Sequence, residues 1–141
     1  MAINSKVLLV DDSKFLRTAN ERNLSKAGYQ VYTAGDGEEA LQVAKAKLPD
    51  IILLDMMLPK ISGTEVLKAL KANPATMDIP VIVLTSLSQK NEDKLVSAGA
   101  AAYFEKSALA LDKGSDQLAA TVEAVFAQVE SARKLAHGSK V

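Results

Sequence analysis

Unbroken aliphatic runs of strand length, separated by amphipathic stretches, constrain this chain more than any other feature. The runs are Val7-Leu8-Leu9-Val10, Ile51-Ile52-Leu53-Leu54, Val81-Ile82-Val83-Leu84 and Ala100-Ala101-Ala102-Tyr103-Phe104. A strand with no polar alternation has no wet face. It must be covered on both sides, which requires parallel pairing and helical crossovers. Tyr29 to Ala34 does alternate, as a half-buried strand nearer a sheet edge does. Five β-α units predict an α/β domain with a doubly wound parallel sheet. The pattern alone does not order the strands.

The intervening segments carry helix signals. The first helix starts near Ser13, sets Phe15, Leu16, Ala19, Leu24 and Ala27 on one side, and stops at Gly28. Asp36 and Glu39 have capping-box spacing, ahead of an inner stripe of Ala40, Leu41, Ala44 and Leu48 that Pro49 closes. Ser62-Gly63-Thr64-Glu65 opens a third helix with Val66, Leu67 and Leu70 inward. Asn73-Pro74 ends it, because a residue before proline avoids helical backbone. A polar fourth helix runs from Ser88 to Gly99, and a last one from about residue 115 to 136.

Composition narrows the partners. Lysine plus arginine equals aspartate plus glutamate, 17 each, so no global basic field favours nucleic acid or an anionic membrane. The 48% apolar content supports a real core, and 141 residues suit one domain over 1–141. Cysteine is absent, which excludes disulfide and thiol chemistry and is compatible with a reducing compartment. The first residues lack the apolar core of a secretory signal. No apolar run approaches the roughly 20 residues of a membrane span. A soluble cytoplasmic protein is the expectation.

The ends of the runs carry the chemistry. The first is followed by Asp11-Asp12, the third strand by Asp55, the fourth by Thr85-Ser86, and the fifth by Glu105-Lys106. Each has an ordinary explanation when taken singly. Asp12 could cap the first helix, Asp55 could be a turn residue, Thr85 a strand former and Lys106 a solvated loop residue. Together they place three carboxylates, a hydroxyl and an ammonium at one sheet edge, where open α/β sheets bind ligands. Adjacent carboxylates repel unless a cation or proton separates them. Magnesium takes oxygen ligands, one or two of them carboxylates. The set suits phosphoryl transfer to a carboxylate, with Asp55 as nucleophile. A cation on Asp11 and Asp12, Lys106 and the Thr85 hydroxyl would each take one phosphoryl oxygen.

These residues resemble the receiver domain of bacterial two-component response regulators, of the single-domain chemotaxis type. The likeness runs from Lys6 to about Val129. It rests on Val7 to Asp12, Asp50 to Pro59, Gly63, Val83 to Ser86, Gly99-Ala100 and Tyr103 to Lys106, in matching order and spacing. It implies a flavodoxin-like (βα)5 fold with strand order 2-1-3-4-5. It implies Mg2+ bound directly by Asp12 and Asp55, by Asp11 through water, and by the Met57 backbone carbonyl. Asp55 would accept a phosphoryl group from a sensor histidine kinase or phosphotransfer protein. Thr85 and Tyr103 would form the switch pair, with edge-strand packing as the plainer role for Tyr103.

Two departures stand out. The family has proline after the lysine, with a cis bond; here Ser107 follows Lys106. A cis bond before a non-proline costs about 2.5–4 kcal/mol, so a trans bond is expected. Met57 and Leu87 hold positions that vary in the family and influence loss of the phosphoryl group. Apolar side chains there either shield Asp55 from water or are neutral variation.

The last helix is long. About 22 residues would span roughly 33 Å. Its core stripe is Leu118, Val122, Val125, Phe126 and Val129. Its tail is either frayed or a dimer or partner face, and segment 108–114 before it is long for a loop.

The leading expectation is a phosphoacceptor switch that signals through protein contacts and is not an enzyme. Its output face would combine the fourth helix, the fifth strand and the last helix. One helix after the fifth strand leaves no room for a DNA-binding domain. The alternative is a phosphate-independent interaction module on the same fold. An aspartyl-phosphate hydrolase usually has an acid two residues after its nucleophile, where this chain has Met57. A dinucleotide site lacks its glycine-rich turn, since Asp11-Asp12-Ser13-Lys14 would repel a pyrophosphate.

Overall fold

The aliphatic runs are strands of one sheet. The computed structural model describes residues 5–55, 60–85, 102–105 and 120–128, with the side chains of residues 85 and 102–105 outside that description. The strands are β1 (Lys6–Val10), β2 (Gln30–Ala34), β3 (Ile51–Asp55), β4 (Val81–Thr85) and β5 (Ala102–Glu105). All pair in parallel in the order β2-β1-β3-β4-β5. Three of the four unbroken runs, β1, β3 and β4, occupy the centre, where both faces are covered, while the alternating β2 lies at one edge and β5 at the other.

Side chains of period two split the core into two layers. On one face Leu8, Val10, Ile52, Leu54, Val81 and Val83 meet Ala40 and Ala44 of α2 (Gly37–Lys47) and Val66, Leu67 and Leu70 of α3 (Gly63–Ala72). On the other, Val7, Leu9, Ile51, Leu53, Ile82 and Leu84 meet Leu24 of α1 (Lys14–Lys26) and Val122, Val125 and Phe126 of helical segment 120–128. Tyr29 stacks on Phe126 at a centroid distance of 6.3 Å, tying the start of β2 to that segment. Helices on both faces make the sheet doubly wound.

The caps follow the local signals. The Asp36 carboxylate accepts from the Glu39 N–H at 2.9 Å, and Glu39 accepts in turn from the Gly35 N–H at 2.7 Å. Ser62 accepts from the Glu65 N–H at 3.3 Å. The Asp36 carboxyl is held below its usual range, chiefly by the Glu39 backbone N–H. Lys60, in left-handed backbone at φ 68°, reaches Asp36 at 3.5 Å and Glu38 at 3.8 Å. It links the loop after β3 to the start of α2.

Two local expectations change. Phe15 is 75% exposed and Ala27 is also exposed. The inner line of α1 is Leu16, Asn20 and Leu24, at the four-residue spacing that aligns on a helix, and Phe15 lies about 100° round from Leu16. Leu48 leaves the α2 stripe because it is the C-cap, in left-handed backbone at φ 46°, and is exposed. The N-cap of α1 is Ser13, whose hydroxyl accepts from the Leu16 N–H at 3.3 Å, so Asp12 is not the cap. The buried Asn20 also carries a side-chain oxygen with no partner among the described residues. The polar helix expected at 88–99, segment 108–114 and both ends of the last helix lie outside the described residues.

Gly37 is fixed by packing. A Cβ there would stand 2.8 Å from the Ile61 carbonyl oxygen and from Val66 Cγ2, and 2.9 Å from Ile61 Cβ. Gly37→Ala is expected to lower stability by about 1–3 kcal/mol through overpacking. Helix propensity alone would favour alanine by about 1 kcal/mol. Urea unfolding decides the sign, and a stabilised variant would refute the packing account.

Candidate functional site

Strand register builds the site. Val10 pairs with Leu54, so Asp11 and Asp55 are the next residues on neighbouring strands. Asp55 pairs with Leu84, so Thr85 is one step beyond it along the same edge. Thr85 pairs with Glu105, the residue before Lys106. The carboxyl ends of β1, β3, β4 and β5 therefore share one edge, as expected.

Asp11, Asp12 and Asp55 converge. One carboxylate oxygen from each lies within 4.8 Å of the others. Asp11 and Asp55 are 4% and 3% exposed, while Asp12 is open to solvent. Asp55 falls on the same side of the sheet as Ile51 and Leu53 by strand alternation. Like charges this close, two of them buried, favour a cation or a proton between them. Among the described residues the donors are all carboxylate oxygens, and no His joins the group. Such a set fits a hard divalent cation such as Mg2+ and does not suit a soft metal.

Asp11 is held at three points. Its N–H donates to the Ala34 carbonyl at 3.1 Å, its carboxylate accepts from the Ser13 N–H at 2.9 Å, and its carbonyl accepts from Arg17 Nη1 at 2.7 Å. The first bond extends the β1–β2 ladder by one residue. The second forms a tight turn into α1, leaving Ser13 as the cap and the exposed Asp12 between them. Arg17 went unnoticed in the sequence, because a basic residue on an amphipathic helix has no distinguishing local pattern.

Thr85 and Tyr103 lie on β4 and β5 as expected, although their side chains are outside the described residues. Met57, Leu87, Lys106 and Ser107, with the trans bond expected at the last pair, also fall outside them.

Comparison with known proteins agrees with this geometry. The family model of the response regulator receiver domain matches residues 7–118. The alkaline phosphatase synthesis transcriptional regulatory protein PhoP of Bacillus subtilis is 41% identical over 105 residues, covering 74% of this chain and 43% of PhoP. The chemotaxis response regulator CheY4 of Vibrio cholerae superposes with a TM-score of 0.73 at 31% identity, covering 86% of this chain and 98% of that one. The receiver domain of the Francisella response regulator 1452 gives a TM-score of 0.76 at 28% identity, covering 89% and 98%. This chain belongs to the response regulator receiver domain family. Receiver domains are phosphoacceptor signalling switches of two-component systems, and phosphorylation and Mg2+ are typical of them. The chain spans less than half the length of curated relatives such as PhoP. Among the described residues, no helix is long and apolar enough to cross a membrane.

Proposed function

We propose that this chain is a switch in which Asp55 accepts a phosphoryl group from the histidine of a sensor kinase or phosphotransfer protein. The convergence of Asp11, Asp12 and Asp55 within 4.8 Å carries this reading. An Asp55 carboxylate oxygen attacks phosphorus. The phosphorus–nitrogen bond to the donor imidazole breaks, its electron pair returning to the ring nitrogen, and an acyl phosphate remains. Asp12 and Asp55 would hold Mg2+ directly and Asp11 through water, with the Met57 carbonyl as a further ligand. A cation held there would supply positive charge to offset that on the transferring oxygens. Lys106 and the Thr85 hydroxyl take the other oxygens, and Thr85 and Tyr103 relay the change outward. The added charge of about −1.5 to −2 supplies the differential interaction that a switch requires.

In this reading the chain is a single domain over 1–141 and acts in the cytoplasm. It signals through protein contacts rather than by turning over a substrate, and without touching nucleic acid or membrane. The last helix, or the face made by the fourth helix, β5 and the last helix, serves a partner or a second copy.

The test is incubation with acetyl phosphate, with and without magnesium, read by intact mass. One phosphoryl group should be gained only with magnesium, and Asp55→Asn should abolish the gain. No adduct on the unaltered chain would leave a phosphate-independent interaction module.

A further inference from the structure

We infer that Arg17 is a positioning residue for the cation site, acting through the backbone of Asp11. This rests on the proposal that Asp11, Asp12 and Asp55 hold Mg2+. Arg17 lies in the first turn of α1, and its guanidinium reaches back to donate from Nη1 to the Asp11 carbonyl at 2.7 Å. The arginine–carbonyl bond is charge-assisted, as is the Ser13 N–H bond to the Asp11 carboxylate, whereas the Asp11 N–H bond to Ala34 joins two neutral groups. It joins the helix to the residue that begins the acidic group.

The glycine that follows β2 makes room for it. A Cβ at Gly35 would stand 3.1 Å from Arg17 Nη1 and 3.6 Å from its Cζ. Gly35 also follows Ala34, whose carbonyl accepts from the Asp11 N–H at 3.1 Å. The guanidinium thus rests where the β1–α1 and β2–α2 connections meet, and both contacts converge on Asp11. Arg17 touches no reacting atom. It holds the Asp11 backbone while the carboxylate orients toward the other two.

A positive charge near three carboxylates has a second effect, opposite in sign: it competes with a cation. The two effects separate by experiment. If positioning dominates, removing Arg17 weakens Mg2+ binding; if charge dominates, removal tightens it. Partners that orient metal ligands are commonly worth 10-fold or more in affinity, which sets the scale.

Mg2+ binding to the full chain is measured by calorimetry for the unaltered protein, Arg17→Met, Arg17→Lys and Gly35→Ala, with the thermal midpoint of each taken without metal. Arg17→Met should weaken Mg2+ by roughly 10-fold. Arg17→Lys, which keeps a charged donor, should recover part of the loss. Gly35→Ala should weaken binding in the same direction by crowding the guanidinium, and it serves if Arg17→Met fails to fold. A lower midpoint with unchanged Mg2+ affinity in both Arg17→Met and Gly35→Ala would make Arg17 merely structural and overturn the inference. Tighter binding in Arg17→Met would overturn it in favour of charge competition. No Mg2+ binding by the unaltered chain would instead overturn the cation-site reading on which it stands.

Discussion

Leu53→Ala is expected to lower stability by about 2–5 kcal/mol. Leu53 is fully buried on β3, the middle strand of the sheet, and pairs with Leu9 on one side and Ile82 on the other. Its layer is closed by Leu24 of α1 and by Val122, Val125 and Phe126. Truncation would therefore remove apolar contact from two neighbouring strands and two helical segments. Packed strands collapse little into such a gap, so a cavity cost adds to the lost transfer energy. A domain with about 5–15 kcal/mol in total would lose a large share of it. Urea unfolding reads the change as a shift of midpoint at constant slope. A loss below about 1 kcal/mol would mean that Leu53 does not occupy the centre of the core.

Magnesium is expected to stabilise the chain, by about 2.7 kcal/mol when present at 100 times its dissociation constant. The physical source is the acidic group. Two unit charges 4.8 Å apart at an effective dielectric of about 20 interact by on the order of 3 kcal/mol. Asp11 and Asp55 are both buried, which makes a shared cation more effective there than among solvated carboxylates. A ligand that binds the folded chain and not the unfolded one raises stability by mass action. Asp55→Asn should remove most of the response, because an amide is a weaker and uncharged ligand. Sodium chloride at matched ionic strength should not reproduce it, and chelation should reverse it. Thermal unfolding with and without magnesium measures the effect. An equal shift in Asp55→Asn would show that the ion acts elsewhere.

Most of the described fold was legible because its strands and helices announce themselves locally. Val7 to Val10, Ile51 to Leu54 and Val81 to Leu84 have no polar face, and only a strand covered on both sides accommodates them. Ser62 and Glu65, like Asp36 and Glu39, sit at spacings that only a helix start uses. The errors were also local. Phe15 is apolar yet faces solvent, because a single turn of helix leaves several apolar positions eligible for the core. Leu48 fits the α2 stripe by spacing but occupies the turn that ends the helix, where the left-handed backbone carries it off the core face. The helix start expected near Ser13 stands, because Ser13 is the cap and the Asp11 carboxylate accepts its N–H, so the plainer capping role for Asp12 does not apply.

The candidate site was legible as a list of residues and not as a place. Asp11, Asp12 and Asp55 could be named from the runs they follow, because a charge directly after buried aliphatics needs a reason. Strand order came from family likeness alone, since hydrophobic pattern carries no information about which strands are neighbours. That the carboxylates come within 4.8 Å depends on Val10 lying opposite Leu54, a property of pairing across some 44 residues of chain. Of the three anchors on Asp11 only the bond to Ala34 belongs to the same category, since Ser13 and Arg17 are near neighbours in the chain at the start of α1. Local chemistry thus established the element types, the caps and the identity of the acidic residues. Register and packing then established their convergence and the burial of two of them, since long-range contact is a property of the folded chain and not of any window along it.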